Sequence, residues 1–117
     1  MTSGPDVAKL YKRTNISTAT HAKGISLLHH RCVQLIQLSL EGPLPSRKYL
    51  NSAQNILAQF ERSLDKNNDL AQSFFHIYDY CYCQLESDNP HFHRLALAKL
   101  IKVRDAFDRV LKRNREN

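Results

Sequence analysis

The chain has 117 residues, with 17 Lys and Arg against 11 Asp and Glu, so its formal net charge is +6. This length suits one domain with a substantial core. Its apolar runs are far shorter than the roughly 20 residues that cross a bilayer, and its amino terminus lacks the apolar core of a signal peptide. We therefore expect a soluble, cytoplasmic protein without membrane insertion, whose basic composition favours acidic partners.

An arm is predicted to precede the first helix. Residues 1–19 lack helical spacing beyond the short stretch VAKLY, so we expect a mobile amino-terminal arm followed by a helical domain over residues 20–115. Thr20 is the predicted N-cap of the first helix, and the stretch GPLPS at 42–46 ends it. Apolar residues recur between them at steps of three and four, at Ile25, Leu28, Cys32, Leu35 or Ile36, and Leu40.

The second and third segments keep the same helical spacing. In the second it runs through Leu50, Ala53, Leu57, Phe60 and Leu64. A polar turn at 65–69 follows, and Asp69 is the predicted N-cap of the third helix. The stretch YDYCYC alternates locally as a strand would, with tyrosines at 78, 80 and 82. A helix is favoured because steps of three and four persist over the whole segment, at Leu70, Phe74, Ile77, Cys81 and Leu85.

A fourth helix is predicted after the break SDNP at 87–90. Asn89 can accept from the first free amides, and Pro90 lacks a donor that would otherwise be unpaired. The apolar stripe of this helix is Phe92, Ala96, Leu100, Val103, Phe107 and Val110. Four helices with short connections predict an all-α, antiparallel up-down four-helix bundle.

Catalytic and metal-binding motifs are hard to find in this sequence. It has no Gly-rich phosphate loop, no nucleophile motif and no carboxylate pair on an apolar stripe, so we predict that the protein is not an enzyme. Cys81 and Cys83 are two residues apart, so one helix points their side chains in different directions and cannot bring both to one zinc ion. The same holds for His91 and His93. We predict no metal site, with Cys81 in the core and Cys83 near the surface.

Several motifs occur together in the order and spacing of one known family. A helix ends at Leu64, a turn with Asn67 and Asn68 follows, and the next helix starts Asp-Leu, contains Tyr-Asp-Tyr and ends near Leu85. Upstream is Y..TNISTAT from Tyr11, and the last helix contains KLIKVRDAFDRVL. Over roughly residues 11–112 the chain thus resembles the FliS family of flagellar export chaperones. It departs from the family pattern at GISLLHHRC, where His29-His30-Arg31 replaces a Tyr-Asp-Gly surface, so we expect a divergent member.

The resemblance implies a cytoplasmic chaperone that binds the disordered carboxyl-terminal segment of flagellin, its client. Such a chaperone prevents premature polymerisation and delivers flagellin to the flagellar type III export apparatus, without a cofactor. Apolar strips on a rigid bundle allow an extended client to fold as helices in surface grooves. The predicted client-binding residues are Tyr11, Leu27, Leu38, Ile56, Tyr78 and Tyr82.

These six residues are predicted to bind the client for different reasons, and ordinary core packing remains an alternative role for most of them. Tyr78 and Tyr82 are expected to flank the core stripe of the third helix, where a tyrosine ring can line a binding groove. Leu27, Leu38 and Ile56 lie beside the inward stripes of their helices. Tyr11 belongs to the arm, which resembles a family flap that covers part of the empty client site.

Two other functions remain open at this point. A basic helical bundle could bind nucleic acid, with phosphate contacts from Lys99, Lys102, Arg109, Lys112 and Arg113. This is less favoured, because no recognition helix with its turn precedes them and aromatic residues do not alternate with the basic ones. The same bundle could also be a co-chaperone or a scaffold that does not bind flagellin. We expect a monomer or a weak dimer.

Overall fold

Four helices make up the described part of the chain. The computed structural model describes residues 19–64 and 67–116, and these ranges contain no strand. The helices are α1 Ala19–Glu41, α2 Arg47–Ser63, α3 Asp69–Glu86 and α4 Pro90–Glu116. Each helix packs against two others: α1 contacts α2 and α4, and α3 also contacts α2 and α4. This arrangement confirms the predicted all-α, up-down four-helix bundle.

α1 begins slightly earlier in the chain than predicted. α1 begins at Ala19, so Thr20 lies inside the helix and the prediction that it is the N-cap is wrong. Residues 1–18, which make up almost all of the predicted arm and include Tyr11, lie outside the described residues. The division into an arm and a bundle domain therefore stays a prediction.

The caps of α3 and α4 show how the sequence sets their first turns. Oδ1 of Asn68 accepts from the Ala71 amide at 3.1 Å, so Asn68 is the N-cap and the prediction of Asp69 is wrong by one residue. Asp69 is instead the first helical residue, where a negative charge stabilises the positive end of the helix dipole. The predicted Asn89 cap is confirmed, because its Oδ1 accepts from the His91 amide at 2.9 Å.

The core follows the predicted stripes, with a change of phase at the start of α4. The buried apolar side chains are Cys32, Val33, Leu35, Ile36, Leu50, Ala53, Ile56, Leu57, Phe60, Ala71, Tyr78, Cys81, Leu85, Ala96, Leu100, Val103, Phe107 and Val110. Phe92, predicted to face inward, is 36% exposed, and His93 is buried in its place. The buried His93 ring is stabilised because its Nε2 donates to the Ser87 carbonyl, which lies at the end of α3.

Arg47 joins the start of α2 to the end of α3. Its guanidinium donates to the carbonyls of Leu85 at 2.5 Å and Glu86 at 3.4 Å, which lie in the last turn of α3. These carbonyls have no partner within their own helix, and a cation at that end also stabilises the helix dipole. None of the helices in the described ranges is long and apolar enough to span a bilayer.

Candidate functional site

Two leucines lie on the outer side of α1, with the polar side chains of Arg31 and Gln34 between them. Leu27 and Leu38 are eleven residues apart, which is close to three full turns, so they lie on the same side of the helix. Leu27 is 59% exposed and Leu38 is half-buried. Cys32 marks the side of α1 that faces α2, because its Sγ donates to the Ala53 carbonyl at 3.6 Å. Helical periodicity turns Leu27 and Leu38 by about 140° and 120° away from Cys32, so they lie on the solvent side of α1, beyond its contact with α2.

A matching apolar edge lies on α2. Tyr49 and Ile56 are seven residues apart and therefore lie on one side of α2, next to Ala53, which contacts α1. Ile56 is buried at 8% exposure and Tyr49 is half-buried. Leu27 and Leu38 on α1, with Tyr49 and Ile56 on α2, define a surface that we call the α1–α2 groove. Tyr49 was not among the predicted residues, although its spacing of seven from Ile56 was the signal that could have found it.

Tyr82 belongs to a different edge of the bundle. Its backbone carbonyl accepts from Nε2 of Gln54 at 3.2 Å, which places it on the side of α3 that faces α2. Its side chain is half-buried. Gln54 and Ile56 lie on opposite sides of α2, because two residues of a helix turn the side chain by about 200°. The structure therefore does not bring Tyr82 together with the α1–α2 groove.

Tyr78 lies in the core, so its predicted place at the core margin is wrong. The side chain is only 3% exposed. Its hydroxyl donates to Nε2 of His29 at 2.8 Å, and its ring packs against Phe60 and Phe74 at centroid distances of 5.0 and 6.2 Å. Because His29 supplies a buried partner, the hydroxyl need not reach water. A client could contact Tyr78 only if the bundle opened.

His29 is the polar centre of an aromatic cluster. Its ring stacks on Phe60 and Phe107 at centroid distances of 4.3 and 4.6 Å. Nδ1 donates to the Ile25 carbonyl at 2.8 Å, so Nε2 is left as the acceptor for Tyr78. Burial lowers the pKa of His29 from 6.5 to about 4, although the bond to Ile25 acts in the opposite direction. The imidazole is therefore neutral at physiological pH, and it fixes α1 against α2, α3 and α4.

The other side of α1 is closed by polar contacts with α4. Asp108 accepts from the Ser26 hydroxyl at 2.5 Å and from Nε2 of His30 at 2.7 Å. Partial burial opposes ionisation of Asp108, but these two hydrogen bonds outweigh it and lower the pKa of the carboxyl. α1 is thus joined to α4 by polar contacts, whereas its outer surface carries Leu27 and Leu38 with the polar pair Arg31 and Gln34 between them.

The cysteines lie where the sequence placed them. Cys81 is buried and Cys83 is exposed, which confirms both predicted positions. Burial raises the pKa of the Cys81 thiol to about 12 and also raises that of Cys32. Both buried thiols are therefore protonated and unreactive at neutral pH. Among the residues that the structure describes, no group of three or more His, Cys, Asp and Glu side chains is arranged to hold a metal ion.

Comparison with known proteins identifies the family. The family model for flagellar protein FliS matches residues 4–113. The chain belongs to the FliS family. A curated relative, the flagellar secretion chaperone FliS of Bacillus subtilis (strain 168), is 31% identical over 84 residues, which cover 68% of this chain. The chain spans 63% of the length of that FliS protein, and no solved structure matches.

Proposed function

We propose that this FliS-family chain is a cytoplasmic export chaperone that binds the disordered carboxyl-terminal segment of flagellin. It keeps flagellin unpolymerised and delivers it to the flagellar type III export apparatus. The family match over residues 4–113 is the observation that carries the proposal. The relative from B. subtilis, named a flagellar secretion chaperone, supports it.

The α1–α2 groove is the proposed client surface. An amphipathic helix binds in such a groove through apolar anchors spaced by three, four and seven residues. Leu27 and Leu38 lie eleven residues apart on α1. At about 1.5 Å per residue they are about 16 Å apart, which three turns of a client helix would cover. Tyr49 and Ile56 form the opposite wall of the groove.

The rigidity of α1 supports binding of a disordered client. Such a client loses conformational entropy when it folds on the chaperone, so the chaperone should not have to order itself as well. His29 fixes α1 from inside the bundle, and Asp108 fixes it to α4. The groove is therefore formed before the client arrives.

Binding alone can perform the proposed task. An apolar flagellin segment that lies in the groove is not available to pack against another flagellin molecule. Release to the export apparatus then requires only dissociation, with no covalent step. No nucleotide, metal ion or other cofactor takes part in this proposal.

Isothermal titration calorimetry with a carboxyl-terminal flagellin peptide from the same organism tests the proposal. Leu27→Glu should weaken binding about tenfold or more, because it removes the burial of a leucine. The matched control is Gln37→Glu, which introduces the same charge at an exposed position nearer to α4 and should leave the affinity unchanged. Absence of heat with the unmodified protein at high micromolar peptide would contradict the function. Full binding by the Leu27→Glu variant would contradict the groove.

A further inference from the structure

The exposed surface of α4 is predominantly basic. In the described part of α4, the exposed basic residues are Arg94, Lys99, Lys102, Arg109, Lys112 and Arg113. The two aspartates of this helix are paired: Asp105, whose side chain is 47% exposed, accepts from Arg104 at 3.1 Å, and Asp108, whose side chain is 39% exposed, accepts from Ser26 and His30. A predominantly basic surface of this kind attracts an anionic partner.

The cations form a straight line rather than a scattered patch. Steps of three and four residues connect Leu95, Lys99, Lys102, Ala106, Arg109 and Arg113. We call these six residues the basic stripe; at about 1.5 Å per residue it is about 27 Å long. At its amino-terminal end, Phe92 and Leu95 are 36% and 37% exposed, so this end of the surface is apolar.

Helix stability explains only part of the basic stripe. A cation in the last turn of a helix is stabilised by the helix dipole, which accounts for Arg113. Lys99 and Lys102 lie in the middle of α4, where this effect is negligible. They are three residues apart, and like charges at this spacing destabilise a helix. No ion pair connects Lys99, Lys102 or Arg109 to a carboxylate within residues 23–64 and 67–113, whose side chains the structure describes.

We propose that the basic stripe docks an acidic, amphipathic helix of a partner protein. Carboxylates of that helix would lie opposite Lys99, Lys102 and Arg109, and an apolar side chain would pack against Phe92 and Leu95. Two helices packed side by side meet through residues at steps of three and four, which is the spacing of the stripe. The small Ala106 lets the backbone of the partner helix approach α4 closely.

Other anionic partners fit this surface less well. Single-stranded nucleic acid is bound by cations interspersed with stacking aromatics, whereas the only aromatic beside the cations of the stripe in the described part of α4 is Phe92 at its amino-terminal end. A helix that lies in a membrane surface needs a continuous apolar face beside its basic one. α4 uses its apolar face for the core of the bundle, through Ala96, Leu100 and Phe107.

The basic stripe and the α1–α2 groove can be occupied together. α4 packs against α1 and α3 and lies across the bundle from α2. The stripe is therefore on a different side of the molecule from Ile56 and Tyr49. The inference extends the proposed function, and it does not depend on the identity of the client in the groove.

A designed helical peptide tests the inference. The probe is a peptide of about 20 residues, long enough to cover the stripe, with Glu at steps of three and four and two Leu at one end. Fluorescence anisotropy at low salt measures its affinity, because exposed charges are least screened there. The triple variant Lys99→Glu, Lys102→Glu, Arg109→Glu should bind about tenfold more weakly or worse, since it removes three exposed ion pairs and introduces repulsion.

The control variant has the same net charge as the triple variant. It carries Lys23→Glu, Lys48→Glu and Arg62→Glu, which are exposed positions on α1 and α2, and it should bind the peptide like the unmodified protein. Circular dichroism of both variants checks that the bundle is intact. An equal loss in both variants would overturn the proposal, because it would show attraction to total charge alone.

Three further probes decide the chemistry of the partner. A peptide of the same composition with scrambled Glu positions should bind more weakly, and equal binding would contradict docking of a helix in register. A single-stranded oligonucleotide of about 20 nucleotides reports nucleic-acid binding. Vesicles of phosphatidylglycerol and phosphatidylcholine report membrane binding. Tighter binding of either than of the peptide would overturn the proposal.

Discussion

Acidification should destabilise the bundle through His29. The folded state holds this ring neutral, with Nδ1 donating to Ile25 and Nε2 accepting from Tyr78. Burial lowers its pKa from 6.5 to about 4, so the unfolded chain binds a proton at a pH where the folded chain does not. The stabilisation is therefore complete above about pH 6.5 and is lost progressively as the pH falls towards about 4.

The expected magnitude follows from the size of this shift. At about 1.4 kcal/mol per pKa unit, the change from 6.5 to about 4 is worth about 3 kcal/mol of unfolding free energy. About 2 kcal/mol of this should be lost between about pH 7.5 and about pH 5. Asp108 does not interfere in this range. Its pKa is lowered from 3.8, so its own contribution is lost only as the pH falls through that region.

Urea unfolding monitored by circular dichroism measures the effect. The variant His29→Gln has no ionisable group at this position and should lose most of the pH dependence, although it is less stable throughout. Contributions from other groups are present in both proteins and cancel in their difference. His76→Gln removes an exposed histidine and should keep the full dependence. Equal pH dependence in the unmodified protein and in His29→Gln would refute the reasoning.

Three further predictions concern stability at neutral pH, each measured by urea unfolding. Tyr78→Phe should lose about 1–3 kcal/mol, because it leaves the buried Nε2 of His29 without a partner, and an unchanged stability would contradict the hydrogen bond. Gly24→Ala should stabilise α1 by about 1 kcal/mol, since an added Cβ meets no atom within 4 Å, and any loss would show a close approach there. Cys81→Ala should lower the unfolding free energy by about 1 kcal/mol, while Cys83→Ser should leave it nearly unchanged. A larger loss for Cys83→Ser than for Cys81→Ala would contradict the buried position of Cys81 and the exposed position of Cys83.

The sequence predicts the helices well because their periodicity is local. Steps of three and four identify most of the inward residues in all four segments, and Asn89 with Pro90 identifies the start of α4. The predicted cap of α3 is wrong by one residue, since the neighbouring Asn68 and Asp69 are both competent caps and the sequence does not choose between them.

The errors in the core have a different origin. Ile77 and Tyr78 are adjacent and both fit helical spacing, so periodicity cannot decide which one is fully buried. The deciding contact joins Tyr78 to His29, which is 49 residues away in the sequence. Phe92 and His93 pose the same problem, and the bond from His93 to the Ser87 carbonyl decides it. Such contacts between helices are not visible in local spacing.

The candidate site was predicted only in part, because local spacing shows which residues share a side of one helix but does not show which helices are neighbours. Leu27 and Leu38 share a side of one helix, which spacing shows directly. The grouping of Ile56 with them, and the separation of Tyr82 from them, depend on which helices are neighbours and on which side of α2 each contact lies. Their role in client binding stays a prediction.

Seeded polymerisation of flagellin from the same organism, followed by light scattering, tests the central claim most directly. The protein should suppress filament growth, and the suppression should saturate near one molecule per flagellin, because one groove binds one carboxyl-terminal segment. The Leu27→Glu variant should suppress growth much less, and Gln37→Glu should act like the unmodified protein. Unchanged filament growth with the chaperone in molar excess over flagellin would contradict the account.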